Sequence, residues 1–291
     1  GSPTHVVDYP VFSPDGKQIA YAWTTPSQVD QLRVIGLDGS APRVLYDNPE
    51  HNVQPAAWSQ DGRFILAVFY LKDNTRQIAL VSATDGAARV LKTLDWRVPA
   101  QMVFSPDARY VAYDLPGPEA PFKRDIFVIA SDGSWEVRLV EHPADDVLAG
   151  WSPDGRTILF GSDRAGSYGL WAVPMAGGQS QGPPVLVKRD AGRLAGLGFG
   201  RNGAFYYGAG GAMEDVYIAE IDPDSGRVVQ APGRATERLV GGTSSGAWSA
   251  DGRQLVYASR QRGGPGRGSM GLSVLTLATG EQRDILPQLS S

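Results

Sequence analysis

Three histidines and the carboxylates near them are the residues of this 291-residue chain best suited to chemistry. His5 and His51 each stand seven residues before an aromatic, Phe12 and Trp58, at equivalent points of a repeat. His142 stands nine residues before Trp151, out of that register. Asp8, Asp145 and Asp146 lie close by. Imidazoles and carboxylates converging on one rim suit a divalent transition metal, and such an ion would support a hydrolase or lyase. The plainer reading is that polar loops contain histidine, with no metal and no other cofactor.

Other motifs carry less. GTSSG (Gly242 to Gly246) has the spacing of a nucleophile elbow around Ser244, but that elbow needs a strand before it and a helix after it. Here a strand-like AWSADG follows, so no catalytic residue is assigned. DPDSG (Asp222 to Gly226) begins like a calcium loop and lacks the later ligands; it reads as a hairpin turn. RGGPGRGSMG (Arg262 to Gly271) is glycine-rich but opens no helix, so it is no phosphate cradle. Trp96 and Arg97 are residue types that dominate binding hot spots. Either they face a partner, or Trp96 packs between neighbouring repeats.

The elements that position these residues follow from an internal repeat. An aromatic residue enters a tight polar turn six times: FSPDG from Phe12, WSQDG from Trp58, FSPDA from Phe104, WSPDG from Trp151, FGRNG from Phe199 and WSADG from Trp248. The steps between them are 46, 46, 47, 48 and 49 residues, a period that signals blades or solenoid coils. Ser, Pro, Asp and Gly in that order fit a type I turn running into a left-handed residue, which closes a bulged hairpin. Ala108 stands where the other turns have Gly, which predicts a strained or differently bulged hairpin. Strand-like stretches follow each turn (KQIAYAW, RFILAVF, RYVAYDL, RTILFGS).

Four antiparallel strands per repeat predict an all-β, six-bladed propeller in a single domain over residues 1–291. The blades fall at about 4–47, 48–94, 95–141, 142–189, 190–240 and 241–288. The repeat phase leaves no strand over to interlock the ring, so the first and last blades are expected to meet by face-to-face packing. A solenoid would need polar capping repeats, which are missing.

The loops between repeats and the second–third strand connections share one face, where function usually resides. Asp8, His51, Asn52, Gln54, Trp96, Arg97, Asp145, Asp146, Arg193 and Ser244 are therefore the candidate binding residues of a channel rim. Their expected ligand is a peptide, a protein segment or a small polar molecule.

Composition excludes several classes. The chain has no Cys, which removes disulfides, thiolate metal sites and Cys nucleophiles. Net charge is −4 with no basic run, unlike a nucleic-acid binder. The apolar run Ile65 to Leu71 is too short to span a bilayer as a helix. Gly1 and Ser2 read as a cleavage scar, so a fragment of a larger protein is expected.

The repeat, in WSPDGRTILFGSDRAG and WSADGRQLVYASRQRG above all, resembles the WD-repeat-like propeller of the TolB-like family. That resemblance spans almost the whole chain. It implies a periplasmic or other extracytoplasmic bacterial scaffold, a sensor module, or a gating domain of a prolyl-oligopeptidase-like enzyme. A non-catalytic recognition module is thus the first functional expectation and a metal-assisted hydrolase or lyase the second.

Overall fold

The computed structural model describes residues 6–120, 123–189, 191, 194–199, 204–209, 217–221, 228–234, 243–260 and 270–285. The first sheet is β1 (Val7–Phe12), β2 (Gln18–Thr24), β3 (Asp30–Gly36) and β4 (Arg43–Tyr46), paired antiparallel in chain order. The second repeats it with β5 (His51–Trp58), β6 (Phe64–Leu71), β7 (Arg76–Ser82) and β8 (Ala88–Leu94). The third holds β9 (Met102–Phe104), β10 (Tyr110–Pro116), β11 (Arg124–Ala130) and β12 (Glu136–Val140). The fourth has β13 (Val147–Trp151), β14 (Thr157–Ser162) and β15 (Gly169–Ala176). Its β15 pairs both with a two-residue strand, β16 (Gln179–Ser180), and with the outer β17 (Val185–Lys188).

The next repeat departs from this plan. β18 (Leu194–Phe199) pairs with β19 (Phe205–Ala209), and β20 (Tyr217–Ile221) pairs with β21 (Val228–Arg234), as two separate two-stranded sheets. The last sheet, β22 (Thr243–Trp248), β23 (Gln254–Arg260), β24 (Met270–Thr276) and β25 (Glu281–Ile285), is again complete. The fold is an all-β propeller of antiparallel four-stranded blades. Among the described residues five complete blades form where six were expected. The divergent repeat is also the one whose turn, FGRNG, has neither the Ser nor the Asp of the others, and its strands carry Gly at 196, 198 and 208, which weakens a strand interior.

The turn chemistry explains why the other repeats fold alike. Ser13 Oγ donates to Asp15 Oδ1 (2.5 Å) and accepts from the Gln18 N–H (2.9 Å), while Asp15 Oδ1 also accepts from the Lys17 N–H (3.0 Å). The same three bonds recur at Ser59 and Asp61, Ser105 and Asp107, Ser152 and Asp154, and Ser249 and Asp251. The Ser hydroxyl beside each holds the Asp15 and Asp154 carboxyls below the ordinary range. These aspartates close turns and are not spare catalytic groups.

Ala108 does adopt the left-handed conformation, with φ 56°. Its carbonyl accepts from Ser131 Oγ at 2.7 Å, a bond that glycine would keep. Ala108→Gly is expected to stabilise the protein by up to about 1 kcal/mol, since relief of a strain of about 1–2 kcal/mol outweighs glycine's extra unfolded-state entropy. A rise of about 2–4 °C in melting temperature would show it. A fall would mean the turn does not store that strain.

Two compact units emerge, Gly1–Trp96 with Gly242–Ser291, and Arg97–Gly241. Within the first, Val7, Phe12, Tyr21 and Trp23 of the opening blade pack with Val256, Leu272, Val274 and Ile285 of the last. No strand is exchanged between those two sheets among the described residues. Arginines reinforce the joints: Arg43 Nη2 donates to Ala83 O (2.8 Å), and Arg283 Nη2 donates to Leu37 O (3.0 Å). In the second unit, Trp151, Ile158 and Phe160 pack against Ala112, Ile126 and Val128.

Candidate functional site

In the first unit the inner strands are longer than expected, and this places the predicted rim residues on strands. Asp8 lies in β1, and His51, Asn52 and Gln54 lie in β5, which begins at His51 rather than after a loop. β1 carries a bulge between Asp8 and Val11. There Tyr9 sits at φ 56° with its N–H on Asp8 Oδ1 (2.8 Å), 37% exposed, immediately before Pro10. A bulky residue in that region is a genuine outlier, and such strain clusters at functional sites.

Around Tyr9 a polar cluster forms. Tyr70 Oη donates to Gln54 Oε1 (2.6 Å), and the Asp30 N–H donates to Asn52 Oδ1 (3.1 Å). Thr24 Oγ1 donates to Asp30 Oδ1 (2.7 Å). The Arg76 guanidinium lies over the Tyr70 ring at 4.6 Å, within cation–π range. Burial pushes the Tyr70 phenol up to about 12, with Tyr9 and Asp30 adding and Arg76 opposing. Burial, then Asp8 and Asp30, likewise raise the Tyr9 phenol, against a hydrogen bond from Gln54. Three predicted residues, Asp8, Asn52 and Gln54, are thus brought together with Tyr9, Asp30, Tyr70 and Arg76, which the sequence did not single out.

His51 has a different setting. Its Nδ1 bonds Tyr46 Oη (2.8 Å), and its ring stacks 5.4 Å from Phe69. His142 Nδ1 accepts from the Ala144 N–H (3.1 Å). His5 and Arg193 lie outside the described residues, as do most of the DPDSG and RGGPGRGSMG segments. Ser244 falls within β22, with β23 following it and no helix, so the nucleophile-elbow context is not met. Among the described residues no group of three His, Cys, Asp or Glu side chains could hold a metal ion.

In the second unit, Asp145 and Asp146 precede β13 and are buried. Asp145 Oδ1 accepts from Arg124 Nη1 (3.0 Å), and Asp146 Oδ2 accepts from Arg164 Nη2 (2.8 Å). Asp125 takes Arg138 in the same way. Asp146 is held above the ordinary carboxylate range by burial, against Arg164. Asp114, fully buried in β10, accepts from the N–H groups of Ala100 (2.7 Å), Gln101 (3.1 Å) and Leu148 (3.1 Å). Both predicted aspartates therefore serve as interior ties. A charged residue inside the apolar run RYVAYDL was the signal that could have exposed Asp114.

Trp96 is 48% exposed between β8 and β9. Arg97 Nη1 donates to Pro116 O (2.9 Å), fixing its side chain. About half of the Trp96 surface is thus open to solvent and half is covered.

The match to the TolB beta propeller domain spans residues 25–183, more than half of the chain, and the chain belongs to that family. Among solved structures, it is similar to TolB from Acinetobacter baumannii, at 19% identity and TM-score 0.68 over 93% of this chain and 64% of that one. It is also similar to an oligogalacturonate lyase solved in complex with manganese (15%, TM-score 0.63, over 92% of this chain and 76% of that one). A puromycin hydrolase matches at 14% and TM-score 0.66, over 96% of this chain and 53% of that one. The chain thus spans less than two thirds of that TolB and about half of the hydrolase, and identities this low carry the fold alone. No helix among the described residues is long and apolar enough to cross a membrane.

Proposed function

We propose that this chain is a non-catalytic recognition or sensor module of a larger, extracytoplasmic bacterial protein, binding a protein or peptide partner. In this reading β18–β21 count as one further blade, giving six. The observation that carries it is the half-exposed, strained Tyr9 set among Asp8, Asp30, Asn52 and Gln54. Trp96, exposed beside an anchored Arg97, adds a second contact residue of hot-spot type. Asn52, Gln54 and Asp8 remain the predicted residues best placed to meet a partner.

A displayed library of random heptapeptides, selected on the protein, tests this. Recovered peptides are expected to lose about tenfold or more in affinity on Trp96→Ala/Arg97→Ala, with the melting temperature nearly unchanged, since a hot-spot truncation costs roughly 2 kcal/mol or more. No recovered peptide, or a collapse in stability, would overturn the assignment. The hydrolase or lyase reading needs a divalent metal on His5, His51 and His142. Stoichiometric metal that is lost on replacing His51 and His142 would bring it forward.

A further inference from the structure

We propose that Tyr9, Asp8 and Asp30 form a receptor for a cationic group of the partner, an arginine guanidinium or a lysine ammonium; this rests on the recognition reading. The first observation is charge left unmatched. Neither Asp8 nor Asp30 has a cationic partner among the described residues: Asp8 accepts only from the Tyr9 N–H, and Asp30 from Thr24 Oγ1. The buried carboxylates of the second unit behave otherwise, since Asp125, Asp145 and Asp146 each hold an arginine. Their charge is matched by an arginine, and that of Asp8 and Asp30 is not matched by any cation among the described residues.

The second observation is an internal precedent. Tyr70, joined to the cluster through Gln54, already carries a guanidinium on its face, that of Arg76 at 4.6 Å. Arg76 Nη1 and Nη2 donate to Thr75 O and Asn74 Oδ1, not to either carboxylate. A guanidinium is therefore the group this cluster takes from its own chain, and Tyr9 offers a second phenol ring, with Asp8 bonded to its N–H and the charge of Asp30 felt at its hydroxyl. The negative field there is also felt by the Tyr9 phenol, which Asp8 and Asp30 push up after burial. A cation against an aromatic face with carboxylates alongside gains from both.

The third observation is cost. A tyrosine in the left-handed region, followed by proline, is strained on two counts. Glycine would relieve that strain, but it would give up the phenol that Gln54 meets.

The probe is N-acetyl-arginine amide, with its uncharged isostere N-acetyl-citrulline amide as control, titrated at low salt and followed by backbone amide shifts. The arginine probe is expected to bind about tenfold tighter than the citrulline probe, and about threefold to tenfold weaker to Asp30→Asn, in line with partly exposed cation–π and ion-pair contacts. Added salt should weaken the charged probe alone. Tyr9→Phe should keep most of the affinity. Tyr9→Gly should lose it. Equal binding of the two probes, no binding of the arginine probe, or unchanged affinity in Asp30→Asn would overturn the receptor. Library peptides without Arg or Lys would also overturn it and leave the recognition module standing. An arginine probe that binds while no library peptide does would keep the receptor and remove the module.

Discussion

Replacing Asp114 with alanine is expected to cost about 3 kcal/mol or more of stability. Its two carboxylate oxygens accept from three backbone N–H groups, those of Ala100, Gln101 and Leu148, and so tie the segment before β9 and the inner strand β13 to the centre of β10. Each donor left unpaired away from water costs about 1–3 kcal/mol. The same group makes stability depend on pH. Burial raises the Asp114 carboxyl to about 6, outweighing the N–H bonds and the charge of Arg124. The folded state therefore holds its proton more tightly than the unfolded chain, whose carboxyl titrates near about 4. The stability it contributes is fully present below about pH 4 and is lost as pH rises through about 6, a span worth about 3 kcal/mol. Asp114→Asn keeps an oxygen for two of the donors and cannot titrate. Urea unfolding of both proteins between pH 4 and 7 should show the wild type losing ground to the variant as pH rises. Parallel curves would mean the carboxyl is not raised.

Arg164→Met should be nearly as damaging, at about 3–5 kcal/mol, because it leaves the Asp146 carboxylate buried without its cation. The pair is enclosed, with side chains 12% and 0% exposed. Arg164 is further held by Ser162 Oγ at 3.0 Å and lies 5.0 Å from the Phe160 ring and 5.2 Å from that of Trp171. The partner change Asp146→Leu removes the charge that was stranded, so Arg164→Met/Asp146→Leu is expected to recover most of the loss. If the double variant is as unstable as the sum of the singles, the two residues act through packing and not as an ion pair.

The propeller was legible because its turn is written in local chemistry. Ser13 and Asp15 make the same bonds as Ser152 and Asp154, and neither set needs a distant residue to form. The repeat without those residues, around FGRNG, is also where two strand pairs stand among the described residues in place of the expected four-stranded sheet. The candidate site was legible only in part. Asn52 and Gln54 were reached through their place in the repeat, yet Asp30 and Tyr70 come from other turns of the chain. Their role depends on which strands are adjacent, as when Asp30 of β3 meets Asn52 of β5. His51 and the Asp145–Asp146 pair show the converse. Their residue types suit a rim, but His51 is committed to Tyr46 and the aspartates to arginines, and no spacing rule distinguishes a committed polar group from a free one.

The arginine joints have a consequence for how such a molecule can change over generations. Arg43 reaches the carbonyl of Ala83 one repeat ahead, and Arg283 reaches that of Leu37 across the junction of the last and first sheets. Donor and acceptor occupy matching places in each copy, so one joint is written twice. A duplicated or deleted copy would find its neighbour already equipped to receive it. Copy number can then drift by whole units without a new interface being invented, while the residues that meet a partner vary independently on strand ends that the joint never touches.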